Sequence, residues 1–224
     1  MVTTVGMTVK GTGRGTDPAF ETFEGGLTWI AHPEEGMERA SHALDTDEGI
    51  WLVDPVDTEG LDARLADRGG VAGVVVLLDR HARDAAELAR RHDVPVTRPP
   101  GVERDFDAPT EDVTGGLPGT GFEFLAVIDW PGWHEVALWD GGTLVVPEAL
   151  GTNAFSRAGG ERLGLNPVAR IAPPKHLADL EPDRLLVGHG RPVLDDAPAA
   201  IRDALANARR RLPRAWLGAL RALV

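Results

Sequence analysis

Cysteine is absent from the 224 residues. That excludes a disulfide framework and any thiolate metal site. A metal here would have to take nitrogen and oxygen ligands, for which the chain offers seven histidines and 35 acidic residues. Lysine is nearly absent as well. It occurs only as Lys10 and Lys175, so almost all cationic charge is arginine. No long basic run offsets the net charge of −12; Arg209-Arg210-Arg211 is short and lies in a helical stretch. Such a chain is a poor nucleic-acid binder, because that affinity rests largely on Lys and Arg neutralising phosphates. The acidity would suit a high-salt cytoplasm. No stretch approaches the about 20 consecutive apolar residues of a membrane span, and Met1 to Gly15 carries no apolar segment like that of a secretory signal. The expectation is a cytoplasmic protein that meets neither nucleic acid nor membrane. Its oligomeric state is left open.

A chain of 224 residues can bury a substantial core as one domain over 1–224, with an irregular segment at 1–18 and helices at 197–224. Loose alternation over Phe20 to Ala31 predicts a strand pair around Gly25-Gly26, and Ser41 to Leu44 and Ile50 to Val53 read as two further strands. Thr58 is placed to cap a short helix reaching about Asp67, with Leu61 and Leu65 on one face. The run Gly73 to Leu78 is wholly apolar and rich in β-branched residues, the pattern of a strand covered on both faces. A helix from about Asp84 to Arg91 and a short strand at Val94 to Val96 follow, suggesting a parallel strand–helix–strand unit. Residues 99 to 120 read as loop. Phe122 to Ile128, Glu135 to Trp139 and Thr143 to Val146 read as strands, the last two joined by the turn Asp140-Gly141-Gly142. A loop with a short helix is expected over 151–166, a helix at Lys175 to Leu180, and a strand at Leu185 to Val187. The chain closes with a helix from about Pro198 carrying Ile201, Leu205, Ala208 and Leu212 on one stripe. Pro213 is expected to start another, carrying Trp216, Leu217, Leu220 and Leu223. No repeat of solenoid period is present. This order favours a layered α/β protein.

Several strands end in polar residues: Asp79-Arg80-His81-Ala82-Arg83-Asp84, Pro131-Gly132-Trp133-His134, Pro147-Glu148 and Gly188-His189-Gly190. Catalytic and ligand-binding groups of α/β proteins collect at strand ends. Each segment also has a plain structural reading. Asp84 suits a helix N-terminus through the helix dipole, and Arg80 and Arg83 can pair with nearby carboxylates. His32, His42, His92 and His176 stand outside these segments and read as surface or structural residues.

The joint order of the segments resembles the metallo-β-lactamase superfamily, with LEPDRLLVGHGRPV as its closing strand and His turn and DGGTLVVPEALG as its carboxylate-bearing hairpin. The strand GVVVLL before D-R-H-A-R-D and the early DEGIWLVDPV fit as well, so the resemblance runs over about residues 20 to 195. It implies a four-layer αββα sandwich. It also implies a metal site rewritten at several positions. Asp79 stands where the first motif His belongs, His81 matches the second, Arg83 replaces the motif Asp, and Asp84 replaces its last His. In the third segment Trp133 or His134 takes the His position, Glu148 replaces the bridging Asp, and His189 matches.

The implied metal ligands are therefore Asp79, His81, His134, Glu148 and His189, with Asp84 and Glu148 as catalytic carboxylates and Arg80 and Arg83 as binders of an anionic substrate. Nitrogen and oxygen donors suit zinc, iron or manganese. Arg83 at the motif Asp limits the pocket to one ion or none, since a guanidinium has no lone pair to offer. One implied activity is attack of water on an ester, thioester or phosphoester of a small anionic molecule. The alternative is a metal-free relative that binds a small anion or serves a structural role.

Overall fold

The structure, a computed structural model, describes residues 9–222, the last four of them as backbone. Residues 1–8 of the expected irregular start, Leu223 and the side chain of Leu220 lie outside the described residues.

Two sheets form the centre. The first has seven strands in sequence order: β1 Ala19–Phe23, β2 Gly26–Ile30, β3 Ala40–Thr46, β4 Gly49–Val53, β5 Val71–Val75, β6 Val96–Arg98 and β7 Thr110–Asp112. Its first four strands run antiparallel, and β4 to β7 pair in parallel. Helices α1 (Leu61–Ala66) and α2 (Ala85–His92) are the crossovers that such parallel pairing needs. The second sheet holds β8 Glu123–Trp130, β9 Trp133–Trp139, β10 Thr143–Val146 and β13 Arg184–Val187, ordered β13-β10-β9-β8. Short strands β11 (Leu150–Gly151) and β12 (Gly164–Leu165) pair with each other, and α3 (Ala197–Ala222) closes the chain.

Strand periodicity sorts the apolar side chains into three clusters. On β4, Ile50 and Leu52 pack with Leu61, Leu65 and Leu88 under α1 and α2, while Trp51 and Val53 turn to the other side. There they meet Val75 and Leu77 from the first sheet and Leu138, Val145 and Leu186 from the second. On β10, Leu144 and Val146 face away from that seam and pack with Ile201, Ala204, Leu205 and Ala208 of α3. Helix, sheet, sheet and helix therefore stack as four layers, and the inner strands are apolar in both directions because both faces are covered. The run Val74 to Leu78 lies in the interior as its composition required, with β5 between β4 and β6.

Some local expectations are corrected. Helix α3 runs through Pro213 without a second start. Buried Ile201, Ala204, Leu205, Ala208 and Ala215 continue one stripe across the proline, which is itself exposed, so packing of that face outweighs one lost backbone bond. The expected helix within 151–166 is absent, and the β11–β12 pair occupies this stretch. The expected loop at 99–120 contains edge strand β7. Thr58 does not cap α1. Gly60 holds the cap position, and the Thr58 hydroxyl donates to the Gly15 carbonyl. Among the described residues, no helix is long and apolar enough to cross a membrane.

Candidate metal centre

Four strands, two from each sheet, present their carboxyl ends to one pocket, the usual place for ligands in parallel α/β sheets. Asp54 follows β4 in a left-handed conformation (φ 45°), which Asp tolerates better than most residues. Its Oδ1 accepts the Leu77 amide at 2.9 Å, tying the end of β4 to that of β5. Beyond β5, the 3-10 turn Asp79–His81 brings the His81 ring inward, with Nδ1 2.8 Å from Asp54 Oδ2. Glu148 follows β10. Its Oε1 accepts from Asn166 at 3.0 Å and its Oε2 from Arg80 Nε at 2.8 Å. His189 follows β13 between two glycines that it requires. A Cβ on Gly188 would come 2.0 Å from the Pro147 carbonyl oxygen, and Gly190 is left-handed (φ 93°) against Thr152. His189 Nδ1 lies 2.9 Å from the Met37 carbonyl oxygen.

These outer contacts assign the tautomers. Each Nδ1 faces an oxygen that fixes its proton, so each Nε2 points inward. The two Nε2 atoms lie 3.3 Å apart, and His81 Nε2 is 3.2 Å from Glu148 Oε2. Donor atoms of His81, Glu148 and His189 all fall within 4.8 Å of one another, an arrangement that could hold a metal ion. Burial, reinforced by His81 and Arg83, pushes the His189 imidazole down to about 3, so it is neutral at physiological pH. Burial alone would raise the Glu148 carboxyl, but hydrogen bonds and charge from His81 and Arg80 hold it far below the usual carboxylate range. Two inward-facing imidazole nitrogens and a carboxylate within reach of one another make a constellation suited to a cation.

No family model and no curated protein matches the sequence. Solved structures do match. TTHA1623 in a di-iron-bound form superposes with a TM-score of 0.53 at 23% identity, over 70% of this chain and 90% of its own. The metallo-β-lactamase FIM-1 from Pseudomonas aeruginosa, in a mono-zinc form, gives a TM-score of 0.56 at 10% identity, over 88% and 97%. ETHE1 from Myxococcus xanthus gives 0.50 at 16%, over 84% of each chain. The chain has the metallo-β-lactamase fold.

Within that fold, the residues expected at the site divide. His81, Glu148 and His189 converge; Asp79, Asp84 and His134 are not part of their group. The Asp79 carboxylate accepts the amides of Glu103 and Arg104 at 2.9 and 3.1 Å and pins the following loop. Asp84 caps the start of α2 in sequence position, and its Oδ2 accepts the Asp57 amide at 2.8 Å. His134 is exposed on β9, with Nδ1 2.6 Å from Asp129 Oδ1. Arg83, expected to meet substrate, is committed to the backbone. Its guanidinium donates to the carbonyls of Ala40, Asp54 (2.8 Å) and Gly188 (3.0 Å), joining the ends of β3, β4 and β13. Burial pushes it down only to about 10, so it stays charged at neutral pH.

Arg80 remains at the pocket. Its guanidinium lies 4.6 Å from the centre of the Trp133 ring, with a single hydrogen bond to Glu148. Arg83 also borders the pocket, and with Lys10, Met37 and Arg39 it completes the lining of a cavity of about 240 Å³, in which Glu148 is the one carboxylate among the described residues. Arg39 is held in place by Glu35, to which its Nε and Nη2 both donate at 2.8 Å.

Sequence reasoning missed Asp54, Glu135 and Asn166 as site residues. Asp54 was legible only as the polar end of IWLVDP. Glu135 is buried within β9, where burial pushes its carboxyl up to about 7 against the pull of the Ala149 and Glu148 amides.

Proposed function

We propose that the chain is a hydrolase-like protein that holds one metal ion through His81, Glu148 and His189. The observation that carries this reading is the convergence of two inward-facing imidazole nitrogens and one ionised carboxylate, each imidazole oriented from behind by an acceptor. The donor set suits zinc, iron or manganese. Di-iron and mono-zinc forms of proteins with this fold lend the idea support. An ion in this position supplies Lewis acidity toward a carbonyl or phosphoryl oxygen and lowers the pKa of water.

The chain's own residues define the rest. Asp54 and the Met37 carbonyl fix both imidazoles in the tautomer that offers Nε2 inward. Glu148 is the only carboxylate in the lining among the described residues, and its low pKa keeps it ionised for the role of ligand. Lys10, Arg39, Arg80 and Arg83 make the wall cationic in a protein of net charge −12, which favours entry of an anion. Arg80 leaves its two terminal nitrogens without a hydrogen bond among the described residues, a free fork for a carboxylate or phosphate. A cavity of about 240 Å³ limits the substrate to a small molecule. The reaction class is water attack on an ester, thioester or phosphoester of a small anion.

A second reading keeps the pocket metal-free as an anion-binding site. It is favoured by the Arg80–Glu148 pair, which already neutralises the carboxylate at 2.8 Å. Elemental analysis of protein purified without added metal decides between them. About one zinc, iron or manganese per chain, lost in His189→Ala, supports the hydrolase-like reading. No metal, with no thermal shift on adding any of the three, overturns it in favour of the second.

A further inference from the structure

We propose that Glu135 is a positioning residue that grips the candidate metal ligand Glu148 from two directions; the inference rests on Glu148 being a ligand. Glu135 is buried on β9, whose other residues on that face, Trp133 and Ala137, are aromatic or apolar. A carboxylate in such a place is costly unless it is hydrogen-bonded. Its bonds all lead to the site. Oε1 accepts the backbone amides of Glu148 at 2.9 Å and Ala149 at 2.8 Å. Oε2 accepts the Trp133 indole N–H at 2.8 Å. The Trp133 ring lies beneath the Arg80 guanidinium at 4.6 Å, and Arg80 Nε donates to Glu148 Oε2 at 2.8 Å. Glu135, Trp133, Arg80 and Glu148 thus form a closed ring. One side of it holds the Glu148 main chain, and the other holds its carboxylate.

The spacing on β9 makes this ring a direct product of strand geometry. Trp133 and Glu135 are two residues apart, so they point to the same face, while His134 between them is exposed. The buried carboxylate is therefore oriented by the same strand that supplies the aromatic platform.

The test uses the full chain and zinc ion, with affinity measured by chelator competition and melting temperature measured on metal-free protein. In Glu135→Gln the amide oxygen still accepts from Glu148 and Ala149, but the amide NH2 faces the Trp133 N–H. Zinc affinity should fall about 10–100-fold, the range typical of residues that orient metal ligands. Trp133→Phe keeps an aromatic face under Arg80, though a smaller one, and removes the N–H; it should weaken zinc less. Combining it with Glu135→Gln removes one of the two opposed donors, so the double variant should regain affinity relative to Glu135→Gln alone. Zinc affinity within twofold of wild type in folded Glu135→Gln, whatever its melting temperature, overturns the proposal while leaving the metal reading intact. If Glu135→Gln does not fold, unchanged affinity in Trp133→Phe overturns it instead. Absence of zinc binding in the wild type defeats the metal reading, and this inference with it.

Discussion

Replacing Arg83 with methionine should destabilise the metal-free protein by about 3–5 kcal/mol, the loss of three charge-assisted hydrogen bonds offset in part by relief of a buried cation. The guanidinium is buried and donates to three backbone carbonyls, those of Ala40, Asp54 and Gly188. Hydrogen bonds from charged donors contribute roughly 1.5–3 kcal/mol each, so three would sum to roughly 4.5–9 kcal/mol. Two effects reduce that sum: the cost of burying the cation disappears, and water can enter to satisfy some of the carbonyls. Methionine keeps the apolar stem of the side chain, so any cavity is confined to the space of the guanidinium head. The assay is urea unfolding of metal-free protein at neutral pH, with slope and midpoint fitted together. A loss below about 1 kcal/mol with an unchanged slope would refute the account, since it would mean that those carbonyls do not depend on Arg83. Arg83→Lys should recover little of the loss, because an ammonium lacks the planar fork that spans several acceptors.

Asp54→Asn should lower zinc affinity about 10–100-fold while the fold survives, because asparagine also tolerates the left-handed backbone at this position but cannot offer two acceptor oxygens to Leu77 and His81; unchanged affinity by chelator competition counts against it. Burial, with the charge of Arg83 nearby, pushes the His42 imidazole from 6.5 down to about 3. The unfolded chain therefore takes up a proton first, so this contribution is complete above about pH 6.5 and is lost at about 1.4 kcal/mol per unit as pH falls toward 3. Urea unfolding of His42→Gln should accordingly show a shallower loss between pH 6.5 and 4.5, by about 2 kcal/mol in total; identical slopes would contradict the assignment. With a net charge of −12, screening should relieve self-repulsion, so the melting temperature should rise from low salt to molar KCl. A flat or falling trend would exclude that effect.

The layers were legible because their signal is periodic. Val74 to Leu78 had to be covered on both faces, and the alternation on β4 and β10 sends neighbouring residues into different clusters. The β11–β12 pair was not legible, since two residues per strand, Leu150-Gly151 and Gly164-Leu165, are too few to show a period. Pro213 misled because a local rule competes with a buried stripe contributed by residues on both sides of it. At the site, His81 and His189 were visible as strand-end histidines, but the direction of a side chain is not written in its position along a motif. Asp79 and His81 share one short turn, yet one pins a loop and the other faces the pocket. His134 carried the expected residue type on the wrong face of β9, and a one-residue step placed Glu135 inside. Asp54 and Glu135 act through other residues. Their roles depend on contacts 27 and 13 residues away, to His81 and to the Glu148 amide, that no local pattern announces.

The central claim is a single ion shared by His81, Glu148 and His189. Anomalous diffraction at the zinc, iron and manganese absorption edges, from crystals of protein purified without added metal, tests it most directly. The account predicts one anomalous peak per chain between the two Nε2 atoms and the Glu148 carboxylate, about 2 Å from each donor. Two peaks, a peak centred on other residues, or no peak at any edge would contradict it.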